Sequence, residues 1–230
     1  MSTVAIIPAR GGSKRIPRKN IRPFLGRPML SYAVDAAFSS GVFDHVAVST
    51  DDQEIADTAR KLGAEIFRLR PAELSDDHTG TFAVAQKEAE FIESQGIRCD
   101  HVCVIYATVP LISPDDIRGS FEEMQRQGKS HAYPLCSYPF PIWRSCLIRN
   151  GSPEPIWPEN MPRRSQDLPE AFHDAGQFYW HERSALLTGS PAFNGPETLA
   201  WIIPRSRVVD IDTQEDWDQA ELICRAFRHD

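Results

Sequence analysis

The chain has 230 residues, of which 41% are hydrophobic and 25% charged, and a formal net charge of -7. That length fits one α/β domain with an appendage and a sizeable core, and the apolar runs are too short for a bilayer span. An acidic chain also lacks the extended basic face that nucleic acid requires. Five cysteines, Cys99, Cys103, Cys136, Cys146 and Cys224, form no CxxC pair and are odd in number. They are expected to be reduced apolar filler in a cytoplasmic protein, not a disulfide framework or a zinc site. Because a strand pattern follows directly on Met1-Ser2-Thr3, no signal peptide is expected.

In chain order, residues 4–7 read as a buried strand that runs into a basic loop. Helical patterns follow at 30–38, 52–61, 81–94 and 114–127, alternating with strand patterns at 46–49, 65–69, 102–106 and 131–135. The helix at 114 starts on Ser-Pro-Asp-Asp, with proline in the first turn. Such alternation predicts a mostly parallel sheet covered by helices on both faces. Between about 133 and 180 the texture changes: Pro134, Pro139, Pro141, Pro153, Pro155, Pro158 and Pro162 lie among aromatics with no helical period. This tract is expected to be an inserted arm within a single 1–230 domain, because the strand-helix rhythm resumes near Trp201 and ends in a helix at 214–227.

The first 34 residues contain no acidic side chain, yet carry Arg10, Lys14, Arg15, Arg18, Lys19, Arg22 and Arg27, seven of the 25 Lys+Arg. A cationic loop on an acidic protein points to a small anionic ligand such as polyphosphate. Gly11-Gly12-Ser13-Lys14 suits it, because residues without Cβ let backbone N–H groups approach phosphate oxygens while lysine and arginine supply charge. The spacing is neither that of a Walker A loop nor G-x-G-x-x-G, and Pro17 interrupts the helix that both require. A solvated basic turn is the alternative.

Residues 7–14, Ile-Pro-Ala-Arg-Gly-Gly-Ser-Lys, followed by Ile16-Pro17-Arg18-Lys19-Asn20, closely resemble the opening of CMP-sialic acid synthetases, the cytidylyltransferases of nine-carbon keto-sugar acids. Ser49-Thr50-Asp51 with Ile55-Ala56, the stretch from Leu69 to Leu74, Ala107 to Leu111, Arg164 to Leu168 and Asp210-Ile211-Asp212-Thr213 follow in the family's order. Arg15 stands where that family usually has glycine, and Tyr106-Ala107-Thr108-Val109-Pro110 stands where it usually has Gln-Pro-Thr-Ser-Pro. Lys14-Arg15-Ile16-Pro17, Tyr138 to Ile142 and His173 to Trp180 look instead like the branch that acts on pseudaminic acid.

The resemblance implies a three-layer α/β/α, Rossmann-like nucleotidyltransferase fold with a dimerising arm. It implies a cytoplasmic homodimer that condenses CTP with pseudaminic acid, giving the CMP-sugar and pyrophosphate, for surface glycoconjugates or flagellin. Arg10, Gly11, Gly12, Ser13, Lys14 and Lys19 are the candidates for the triphosphate; Ala9, Arg10, Asn20 and Arg70 are those for cytosine and ribose. Asn20 could equally brace the loop, and Arg70 could be a surface charge. Tyr106, Arg164, Gln166, His173, Asp174, Gln177 and Phe178 supply the arginine, amide and aromatic types that a sugar acid calls for, against a reading as strand and arm packing.

Asp210 and Asp212 are two apart, so on an extended segment both carboxylates share one face with Ile211 turned inward. Same-face carboxylates beside a triphosphate suit Mg²⁺, which keeps several waters and needs few protein ligands. Thr213-x-x-Asp216 also reads as a capping box for the last helix. Arg10, Lys14, Lys19, Asp210 and Asp212 are therefore the catalytic candidates. Three alternatives stay open: the same reaction on a sialic or legionaminic acid, transfer to a sugar phosphate, and a catalytically silent nucleotide-binding subunit.

Overall fold

The computed structural model describes residues 1–76, 79–188 and 195–227. Strand β1 (Thr3–Pro8) leads through the basic loop to a short ladder of β2 (Pro23–Phe24) with β3 (Arg27–Pro28). Then come α1 (Leu30–Ser40), β4 (His45–Ser49), α2 (Gln53–Lys61), α3 (Thr81–Ser94), β5 (His101–Ile105), α4 (Pro114–Gln127) and β6 (His131–Ser137). An excursion bearing the hairpin β7 (Cys146–Arg149) and β8 (Ser152–Pro155) returns as β9 (Phe172–Asp174) and β10 (Phe178–Glu182). Helix α5 (Arg183–Leu187), β11 (Thr198–Ile202) and α6 (Gln214–Phe227) follow.

The main sheet runs β11-β6-β10-β5-β1-β4, with β9 beside β6. Pairs β1·β4, β1·β5 and β6·β11 are parallel, while β10 lies antiparallel between β5 and β6. Alternation along β1 sets the layers. Ala5 and Ile7 join a core with Leu30 and Val34 of α1, Ile55 of α2 and Ile117 and Met124 of α4. Val4 and Ile6 join a second core with Ala85, Ala89 and Ile92 of α3 and Leu186 of α5. The expected three layers, with a mostly parallel sheet buried on both faces, are thus present. A third cluster packs Trp217 and Ala220 of α6 on Ile16, Phe24 and Met29, and so ties the last helix to the basic loop.

Local chemistry explains the helix ends. The Asp52 side chain accepts from the Ile55 N–H at 3.0 Å and caps α2, while Arg60 and Lys61 occupy its last turn. Pro114 opens α4, and Gly128 closes it at φ 62°, in the left-handed region that favours glycine. Asp216 Oδ2 accepts from the Thr213 N–H at 2.7 Å, and Thr213 Oγ1 accepts from the Asp216 N–H at 3.2 Å, which is the expected capping box.

Two expectations are corrected. Residues 65–69 form no strand, only two isolated parallel bridges, Ala47 with Glu65 and Thr50 with Leu69. One more residue separates the bridges on that side than on β4, and this bulge breaks the ladder. The proline-rich tract is partly sheet: β6, β9 and β10 account for most of its two ends, and the excursion proper spans 138–171. Over 208–212 the chain joins no sheet, and Ile211 is buried there as expected.

The β6·β10 register sets His131 opposite His181, with their Nδ1 atoms 2.9 Å apart, so one ring donates and the other accepts. Burial pulls both below the ordinary histidine value, and His181, with His131 adding to the effect, falls to about 3. The unfolded chain takes up a proton near pH 6.5 that folded His181 refuses, so stability present at neutral pH is lost as pH falls through that window. Denaturant titrations are expected to show a loss of about 2 kcal/mol between pH 7 and pH 5. His181→Gln should flatten this slope; an unaltered slope would dismiss the pair as its source.

Candidate active site

The chain passes from β1 to β4 on one side and later to β5 on the other, so the carboxyl end of β1 is a topological switch point, where open α/β sheets bind ligands. A cavity of about 550 Å³ opens there. One wall is the loop after β1, with Arg10, Ser13, Lys14, Arg15, Lys19 and Asn20. Facing it are Arg70 and Leu74, the start of α3 at Gly80 and Thr81, the turn Tyr106-Ala107-Thr108, and Asp212 from the segment before α6. Helix α3 begins without a side-chain cap or an acidic residue in its first turn, so its N-terminal dipole favours an anion in the cavity.

Two aspartates brace the basic loop. Asp51 Oδ1 accepts from the Gly11 N–H at 2.8 Å and lies 3.9 Å from Arg70 Nη2. Asp52 binds Arg18 Nη1 at 2.5 Å while capping α2, and Arg18 sits at φ 57° where the loop turns. A Cβ on Gly11 would lie 2.8 Å from Asp52 Oδ2 and 2.9 Å from Asp52 Cβ, so glycine is required for this approach. The Gly11 N–H therefore serves loop architecture, and Ala9, fully buried, donates its N–H to Ser49 O. Gly12 meets nothing within 4 Å of an added Cβ.

Asn20 is buried and donates from Nδ2 to Arg10 O at 2.9 Å, so it does brace the loop while lining the cavity. Arg70 is not a surface charge: its side chain is 3% exposed, and Nε donates to Ser75 Oγ at 3.2 Å. Burial draws its guanidinium below its ordinary value against the pull of Asp51, and it stays a cation at neutral pH. Lys19 Nζ donates to Ile211 O at 2.7 Å and lies 3.7 Å from Asp212 Oδ1. Asp212 lines the cavity, whereas Asp210 stands outside it. Desolvation first and the Asp212 charge second hold the Asp210 carboxyl above its ordinary value, with Lys19 opposing.

Of the residues assigned to the sugar, Tyr106 lines the cavity and, with Asp174, a neighbouring recess of about 190 Å³ walled by Phe82, Tyr133, Tyr179 and His181. Tyr179 donates its hydroxyl to Asp174 Oδ2 at 2.7 Å. Phe178 is corrected: alternation along β10 turns it and Trp180 into the helix-covered core, while Tyr179 and His181 face the recess. Gln177 is also corrected, being buried with Nε2 given to Arg207 O. Arg164 and Gln166 sit exposed on the excursion, and His173 packs on Tyr138 with Nδ1 against Asp174 O, so none of the three reaches either space.

Sequence reasoning missed Asp51, Asp52, Tyr179, Arg15 as a cavity residue and the uncapped start of α3. Ser49-Thr50-Asp51 was an available signal for the first, and strict alternation from buried Trp180 for Tyr179.

A family profile described as "Cytidylyltransferase" matches residues 4–139. The chain belongs to the cytidylyltransferase family. It is a nucleotidyltransferase that uses CTP, and the cationic loop with its two aspartate braces falls within the matched span. The pseudaminic acid cytidylyltransferase of Campylobacter jejuni subsp. jejuni serotype O:2 is 40% identical over 226 residues, 98% of this chain and 97% of that one. The N-acylneuraminate cytidylyltransferase of Oncorhynchus mykiss is 32% identical over 94% of this chain and 49% of its own length. Among solved structures, CMP:2-keto-3-deoxy-manno-octonic acid synthetase complexed with CTP superposes with a TM-score of 0.72. It covers 98% of this chain and 99% of its own at 16% identity, a likeness that concerns the fold.

Proposed function

We propose that this cytidylyltransferase condenses CTP with pseudaminic acid, releasing pyrophosphate and CMP-pseudaminic acid. The observation that carries the choice of sugar is the 40% identity, over nearly the whole of both chains, to a relative bearing that name. The geometry supports it. Cations of the β1 loop line the cavity, where a triphosphate is neutralised, and Tyr106 on the facing wall borders the aromatic recess with Asp174, where a sugar acid docks.

The anomeric hydroxyl attacks the α-phosphorus in line with the departing pyrophosphate, so the protein mainly positions groups and neutralises charge. Arg10, Ser13, Lys14 and Lys19 bind the phosphates in this reading, and Asn20 and Arg70 the nucleoside side.

Among the described residues no group of three or more His, Cys, Asp or Glu could hold a metal ion. Mg²⁺ needs only one or two carboxylates when phosphates complete its shell, and Asp212 on the cavity wall, two residues from Asp210, fits that donor set. When bound, Mg²⁺ supplies charge neutralisation on the triphosphate. The exposed Phe140, Leu147, Ile148 and Ile156 of the excursion support a homodimer with the arm at its interface. Because CTP is an intracellular nucleotide, the reading carries a cytoplasmic location.

The test is pyrophosphate release from CTP and Mg²⁺ with pseudaminic, N-acetylneuraminic and legionaminic acids and a sugar-1-phosphate in parallel. Turnover with pseudaminic acid at least tenfold above the others is the expected result. Preference for another keto-acid keeps the chemistry and overturns the substrate; CTP binding without release from any acceptor indicates a silent subunit.

A further inference from the structure

The carboxylate that faces the cavity from the segment before α6 already has a partner. Asp212 Oδ1 lies 2.8 Å from Arg15 Nη2 and 3.7 Å from Lys19 Nζ. Lys19 gives its short hydrogen bond to Ile211 O, so Arg15 is the closer ionic partner. Both members of the pair line the cavity. Their mobility differs. The Asp212 backbone N–H is fixed on Asp216 Oδ2 at 3.0 Å by the capping box, whereas the Arg15 side chain is 65% exposed.

A half-exposed ion pair of this kind is weak and exchanges readily. A guanidinium beside a polyphosphate site has a better second partner, because it binds phosphate oxygens through paired N–H groups. A carboxylate beside the same site likewise has one in a divalent cation, which competes with the guanidinium for the same oxygen and is repelled by its charge.

We propose that Arg15 and a divalent cation are alternate partners of the Asp212 carboxylate: Arg15 holds it in the nucleotide-free site and is released toward the polyphosphate when a cation takes its place. This rests on the assignment of the cavity to CTP and of Asp212 to the metal. Arg15 is then a positioning residue that couples the two ligands, since the cation frees the arginine for phosphate and phosphate frees the carboxylate for the cation.

The experiment is Mn²⁺ binding to the full chain, followed by electron paramagnetic resonance with and without CTP and with no sugar present. It compares the wild type, Arg15→Ala, Arg15→Lys, Asp212→Asn and the Arg15→Ala/Asp212→Asn pair. Without CTP, Arg15→Ala is expected to bind Mn²⁺ roughly three- to fivefold tighter, the range set by releasing an exposed ion pair. Arg15→Lys should fall between it and the wild type, and the gain in Mn²⁺ affinity that CTP brings should shrink in Arg15→Ala.

In the Asp212→Asn background Arg15→Ala should change nothing. Equal tightening there would mean simple removal of positive charge, and overturn the exchange. So would an unchanged affinity in Arg15→Ala, or a need for CTP that Arg15→Ala does not relieve. Wild-type Mn²⁺ affinity in Asp212→Asn would remove the metal from this carboxylate and sink the metal assignment with the exchange, whereas loss in Asp212→Asn without an Arg15 effect sinks the exchange alone.

Discussion

Lys19→Ala is expected to lower turnover of CTP by about 100-fold or more, since deleting one preorganised charge at a reacting centre typically costs ~10²–10³ in kcat. Lys19, with Arg15, ties the loop after β1 to the segment before α6, by its bond to Ile211 O and its approach to Asp212. Its removal strips positive charge from the cavity wall and also loosens the segment that carries both aspartates. The side chain is 21% exposed and belongs to none of the apolar clusters, so the fold should persist. Pyrophosphate release at saturating CTP, read beside an unchanged thermal midpoint, checks this. Turnover within threefold of the wild type would remove Lys19 from the catalytic set.

The largest effect on stability is expected from Trp180→Ala, at about 3–5 kcal/mol. Trp180 is fully buried on β10, the strand that locks β5 to β6. Its ring stacks on Phe43 at 5.1 Å and on Phe121 at 4.4 Å, and Nε1 donates to Ile117 O at 3.2 Å. Truncation leaves a cavity the size of an indole between sheet and α4, and leaves a buried carbonyl of that helix without this donor. Urea unfolding measures the loss, and a change below about 1 kcal/mol would mean that Phe43 and Phe121 collapse into the space.

The helices were legible because their signals are local. Asp52 caps α2, Pro114 opens α4 and Thr213 with Asp216 caps α6, each a short-range arrangement of side chain and backbone. Strands β1, β4 and β5 were legible because both their faces are buried, which gives continuous apolar runs. The bridges at 65–69 misled because a strand-like run can fail to pair when one extra residue intervenes. Strand β10 was hidden inside an aromatic, proline-rich tract, since its partners β5 and β6 are remote in sequence.

The same division runs through the site. The β1 loop and its charges stand in one continuous stretch, so residue order alone specifies that a cationic, glycine-bearing loop follows a buried strand, and that the chain is α/β. Which of the charges face the cavity depends on the packed fold. Arg18 is drawn away to Asp52 and Glu54, Arg15 is drawn in to Asp212, and Arg70 is buried beside Asp51 and Ser75. It also decided that Tyr179, not Phe178, faces the recess. The reason is physical: residue type and local period are written along the chain, whereas an ion pair between Arg15 and Asp212 exists only after the sheet and α6 bring distant segments within a few ångströms.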